Sequence, residues 1–165
     1  MPTHPSKPAH ASKKDASKKD AQPRECSVAD ALQIVGERWT LLVIRELLYG
    51  VRRFDGIARN TGASRDILTA RLRKLEGADI IRRELYNEHP ARYEYHLTPA
   101  GRELSDVLSV LMKWGDRHVN AADPPVRWIH TCGEVLDPVV VCSHCGRPAR
   151  DGGTPTGRGA LAQLT

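Results

Sequence analysis

A chain of 165 residues, 40% of them hydrophobic, can bury one ordinary core with a small appendage. No apolar run approaches the ~20 residues that span a bilayer, and the N-terminus lacks the apolar stretch of a secretory signal, so a cytoplasmic protein with no membrane partner is expected. The formal net charge of +5 is uneven: residues 52–92 hold ten Lys/Arg against six Asp/Glu, and residues 1–24 hold six against two.

Residues 1–24 repeat Ala-Ser-Lys-Lys-Asp at positions 11–15 and 16–20 and carry almost nothing apolar. Such a segment cannot offset its ordering entropy by burial, so it is expected to be a disordered basic tail. Order begins near Cys26, where Val28, Ala31, Leu32 and Val35 recur at helical spacing up to Gly36. The run Trp39 to Tyr49 is too apolar for a surface helix; it is expected to be the central core helix, closed by Gly50.

The next segment organises the chain. Phe54, Ile57 and Ala58 share one side of a short helix that Gly62 breaks, and Ser64 is placed to cap a second helix. On that second helix Leu68, Leu72 and Leu75 form one stripe, whereas Asp66, Thr69, Ala70 and Arg73 lie opposite. Two short helices joined by a tight glycine turn are the helix-turn-helix pattern, whose second helix enters the major groove of double-stranded DNA. Ile80–Tyr86 and Arg92–Leu97 are strand-forming segments on either side of the turn cluster Asn87 to Ala91, which adds a β-hairpin wing. The expected fold is therefore mainly α with a small hairpin wing, a winged helix-turn-helix over residues 25–120. A cationic segment there neutralises phosphates and releases counterions.

After the wing, Thr98 and Pro99 signal the start of a long helix bearing Leu104, Leu108, Leu111 and Gly115, with Val107, Val110, Met112, Trp114 and His118 beside them. That apolar surface is wider than one small domain needs, and a second subunit is its natural cover.

The C-terminal part holds His130-Thr131-Cys132-Gly133 and, nine residues after Cys132, Cys142-Ser143-His144-Cys145-Gly146. With Val135–Val141 as intervening strands, His130, Cys132, Cys142 and Cys145 are candidate zinc ligands in a knuckle over residues 121–150. A reversible Cys142–Cys145 disulfide and an inert remnant are the other readings. Four cysteines are too few for a disulfide scaffold and fit a reducing compartment. Residues 151–165 read as a flexible end.

Taken together, Cys26-Ser27-Val28, Gly36 to Leu42, Arg45-Glu46-Leu47, Gly50 to Phe54, Leu68 to Glu76, Pro90 to Tyr95, Leu97 to Gly101 and Trp114-Gly115 give the chain its family likeness. In order and spacing, residues 26–118 resemble the HxlR family of bacterial winged-helix transcription regulators, relatives of the MarR group. The resemblance implies a homodimer that binds an inverted repeat as repressor or activator. It also implies a role for Cys26, since some members sense oxidants or electrophiles through a cysteine at that place; an inert cysteine packing the dimer interface is the alternative.

For base readout the candidates are Arg65, Asp66, Thr69 and Arg73, with Asp66 accepting from cytosine N4 or orienting Arg65. Ser64, Arg53 at the start of the first motif helix and Arg92 on the wing are candidates for the phosphates or the adjacent minor groove. Arg71 lies beside the apolar stripe, so an internal salt bridge competes with a DNA role. No phosphate-binding glycine loop, Ser-His-Asp arrangement or paired carboxylates suggest an enzyme, and Cys-x-x-Cys stands outside any βαβ pattern. The remaining alternative is a winged-helix module that binds protein and carries a structural zinc site.

Overall fold

A computed structural model describes residues 24–156. The expected tail at residues 1–24 and the last residues of the expected flexible end fall almost wholly outside this range. Five helices and one hairpin follow in the order α1 (Ser27–Val35), α2 (Arg38–Leu48), α3 (Phe54–Thr61), α4 (Arg65–Gly77), β1 (Ile81–Asn87), β2 (Arg92–Leu97) and α5 (Pro99–His118).

Burial is concentrated where the apolar periodicity of three helices coincides. Val43, Ile44 and Leu47 of α2, Ile57 of α3, Leu68, Leu72 and Leu75 of α4, and Ile81 at the start of β1 form one core. Leu104 and Leu108 of α5 pack against it from outside. As its composition predicts, α2 is the central helix, meeting α3, α4, α5 and β2.

The turn between α3 and α4 has local causes. Gly62 takes a left-handed conformation, φ 71°, that returns its N–H to the Ala58 carbonyl, and a side chain there would be strained. Thr61 donates its hydroxyl to the Ile57 carbonyl at 2.7 Å, while Ser64 Oγ accepts the Ile67 N–H at 3.3 Å as the cap of α4.

The wing is antiparallel, with Ile81 opposite Leu97 and Leu85 opposite Tyr93, and its register slips between Leu85 and Asn87. Its far end is locked to the body by Thr98, which accepts the Gly101 N–H at 3.1 Å and donates to the Asp79 carbonyl at 2.7 Å. Gly101 sits where a Cβ would lie 2.1 Å from the Ile80 carbonyl oxygen, so this close approach of α5 to the wing requires glycine. A contact absent from the sequence reading completes the wing. Arg53 bridges to Glu94, and the Tyr95 N–H reaches the Arg52 carbonyl at 2.9 Å, so the segment before α3 lies along β2.

Beyond α5 the expected strands at Val135–Val141 do not form. Instead there are two small loops, each closed by an isolated bridge, Ile129 to Val135 and Val141 to Pro148. Among the described residues, none after His118 is buried. The valines there, with Val135, Val139, Val140 and Val141 exposed, lack a second layer to pack against, so β-branched residues alone do not make them a sheet.

Candidate nucleic-acid interface

The outer side of α4 is clear of the chain's own body. Asp66, Ala70 and Arg73 are exposed, and Thr69 is half-buried, as the helical angles predict. The Thr69 hydroxyl donates to the Arg65 carbonyl at 2.8 Å, a back-bond within its own helix. Among the described residues Arg73 and Arg92 enter no salt bridge, which leaves both guanidinium groups available to an external anion. Arg92 opens β2 at the wing tip, and Asn87 Nδ2 ties the intervening turn to the Pro90 carbonyl at 3.0 Å.

Other cations are already engaged. Arg65 donates to Asp55 of α3 at 2.9 Å and lies over the Phe54 ring. Asp66 is therefore not what orients it; the positioning carboxylate comes from the preceding helix, whose N-terminal turn lies beside that of α4. Arg53 does not begin α3 but occupies its cap position, bound to Glu94 at 2.9 Å and stacked on Tyr86. That pairing raises the Arg53 pKa and fixes the guanidinium between the helix and the wing. The side chain remains mostly exposed, so a phosphate can still approach it. Arg71 belongs to the interior bridge: with Lys74 it holds Glu37, whose carboxyl is pushed below its ordinary range by hydrogen bonds from Lys74 and Arg71.

The sequence reading missed Arg59. It is exposed in the last turn of α3, and no salt bridge engages it among the described residues. Asp55, four residues earlier on the same strip, pairs with Arg65 and not with Arg59. The i, i+4 spacing of Asp55 and Arg59 would pair them within α3, so no local signal marks Arg59 as available; the contact of Asp55 with Arg65 decides it.

The four cysteines are free and exposed. Cys26 occupies the cap position of α1, with no side-chain capping bond. His130 Nδ1 is 3.1 Å from Cys132 Sγ, and Cys142 interacts with Cys145 in the second turn. The Cys132 thiol is lowered by a backbone N–H of Glu134 and by His130; the Cys142 thiol is lowered by the backbone N–H groups of His144 and Cys145 and by the Cys145 side chain. The four expected zinc ligands nonetheless stand as two pairs: among the described residues no three His, Cys, Asp or Glu side chains converge as metal ligands. Each pair lies within its own loop.

A left-handed glycine turn between two helices, a free polar face on the second and a hairpin beside it define a winged helix-turn-helix protein. The chain belongs to the HxlR-like helix-turn-helix family, whose model matches residues 34–123, and it is a transcriptional regulator of that type. It is 46% identical over 142 residues to an HTH-type transcriptional regulator of Mycobacterium tuberculosis, a match covering 84% of this chain and 90% of the relative. Among solved structures, PA1607 superposes with a TM-score of 0.68 at 30% identity, over 79% of this chain and 94% of that one. The oxidized form of the redox regulator HypR superposes with a TM-score of 0.52 at 31% identity, over 56% and 97%. Among the described residues no helix is long and apolar enough to cross a membrane.

Proposed function

We propose that this regulator binds an inverted repeat in double-stranded DNA as a homodimer, with α4 of each subunit in a major groove and the wing against the flanking backbone. The carrying observation is the free outer face of α4, where Asp66, Ala70 and Arg73 stay exposed while the opposite stripe fills the core. In this reading Arg73 and Thr69 meet base edges, Arg65 is held ready by Asp55, Ser64 presents the helix N-terminus to a phosphate, and Arg53, Arg59 and Arg92 contact the backbone.

Dimerisation is supported by apolar surface left uncovered on two helices. Val28 and Leu32 of α1, and Val107, Val110 and Trp114 of α5, are all exposed in the single chain. A two-fold pair with half-sites one turn apart would set its recognition helices roughly 34–36 Å apart. Gel shifts against the DNA upstream of the protein's own gene, with sizing of the free protein, test both parts. The expected result is a specific complex that weakens with salt and contains two chains; Trp114→Glu should yield a monomer with much weaker specific binding. A monomeric parent protein that binds every sequence alike would overturn the reading.

Cys26 is the candidate thiol of a redox response. Its exposure at the start of α1, beside the uncovered Val28, supports this, because an adduct there would alter the surface that a partner covers. Alkylation of the reduced protein should reduce operator binding in the parent and not in Cys26→Ser. Zinc at His130, Cys132, Cys142 and Cys145 is supported only by the donor chemistry and the backbone N–H groups aimed at Cys132 and Cys142, and would require the two loops to close.

A further inference from the structure

A cleft of about 420 Å³ opens beside α5, away from the DNA-facing side chains, with Leu48, Tyr49, Leu108, Met112, Trp128 and Leu136 in its walls. Its polar lining is confined to Ser105, Ser109 and Arg45. Size, apolar walls and a few converging polar groups are the attributes of a small-molecule site.

The roof comes from the chain itself. Trp128 and Leu136 face each other across the first C-terminal loop, the Leu136 N–H reaching the Trp128 carbonyl at 2.7 Å, and both lie beyond the segment matched by the family model. The loop is fastened to α5 by Lys113, which donates to the Pro138 carbonyl at 2.8 Å and forms an ion pair with Asp137. Trp128 also meets Tyr49 of α2, ring centroids 5.1 Å apart. One wall of the cleft is thus an element of the chain that otherwise buries nothing, so the cleft exists in the single subunit, and it opens to solvent where Leu111 and Trp128 stay exposed.

The polar lining also has a route to the DNA-binding unit. Arg45 donates from Nε and Nη2 to Oε1 of Glu46, leaving Nη1 outside that pair. Glu46 is buried, and its other oxygen accepts from Asn60 Nδ2 of α3 at 2.7 Å. One carboxylate therefore joins the cleft wall to the last turn of the helix that seats α4.

We propose that this cleft binds an apolar aromatic molecule carrying one anionic group, its rings against Tyr49 and Trp128 and its anion on Arg45, and that occupancy lowers DNA affinity through Arg45, Glu46 and Asn60. A ligand anion draws the guanidinium from Glu46, and the buried carboxylate, left with Asn60 Nδ2 as its donor, pulls harder on the last turn of α3. The second clause rests on the DNA-binding reading; the first does not.

The test uses 8-anilinonaphthalene-1-sulfonate, an aromatic monoanion, with the full chain. The dye should saturate at one per subunit, and its emission should be lost in Ser109→Phe, which fills the cleft, and weakened in Trp128→Ala. Dye emission unchanged in both variants would overturn the site, as would a changed oligomeric state in Ser109→Phe with dye binding intact, which would give the cleft to a subunit interface. Saturating dye should weaken operator binding of the parent by roughly 5–150-fold, the ordinary span of allosteric coupling, with no effect on Ser109→Phe. Unchanged operator affinity with dye bound at the cleft would remove the coupling while leaving the site and the DNA reading standing. Absence of DNA binding without dye would instead sink the DNA reading alone.

Discussion

Replacing Arg73 by alanine isolates the DNA face from the fold. The guanidinium is exposed and makes no salt bridge among the described residues, so the truncation leaves no buried partner behind. Stability should change by no more than about 0.5 kcal/mol, the range of unremarkable surface sites. Binding is a different matter: a base-edge arginine contributes roughly 1–3 kcal/mol of discrimination, a loss of about 5–150-fold in operator affinity. Fluorescence anisotropy with operator and unrelated DNA at several salt concentrations separates two roles for the side chain. If Arg73 reads a base, operator affinity falls while binding to unrelated DNA hardly moves. If it contacts a phosphate, both fall together and the log–log salt slope drops by about 0.9. Full operator affinity in a normally folded variant would refute the placement of α4 in the groove, and a collapse of thermal stability would refute the claim that Arg73 stands clear of the body.

Four further results are expected. Gly101→Ala places a Cβ against the Ile80 carbonyl and should destabilise the chain by at least about 1–3 kcal/mol in urea denaturation; an unchanged midpoint would deny that close approach. Leu75→Ala, at a fully buried site between α4 and the rest of the core, should cost about 2–5 kcal/mol by the same measurement. In the reduced protein a thiol reagent at neutral pH should modify Cys132 and Cys142 readily, because both thiols are held low; added zinc should protect the two together if both loops share the ion, and unchanged rates would retire the four-ligand zinc reading. Asp137 is held low by its hydrogen bond and charge pairing with Lys113, so the clasp contributes above the ordinary carboxylate range and is lost as pH falls through the lowered folded value. Acid should therefore shift Trp128 emission toward that of solvent-exposed indole in a chain whose other tryptophans are phenylalanine, and Asp137→Asn should show that shift already at neutral pH.

Short-range chemistry was legible from the residues alone. Gly62, free of a Cβ, takes the left-handed turn that ends α3, Ser64 and Thr98 cap helices through bonds to neighbours three residues away, and the stripe of Leu68, Leu72 and Leu75 makes one side of α4 core and the other free. These depend on dihedral preference and on a 3.6-residue period, so the helix-turn-helix, the wing and the exposed side of Arg73 followed from the order of residues. Tertiary structure decided which cations are available and which are committed. Arg65 is set by Asp55 and not by the adjacent Asp66, Arg71 is drawn to Glu37, and Arg53 is drawn to Glu94, 41 residues away, because an ion pair forms with whatever carboxylate packing brings within reach. The same reason leaves His130 with Cys132 and Cys142 with Cys145, each in its own loop, and roofs the cleft with Trp128 and Leu136, whose neighbours on α2 and α5 no local pattern specifies.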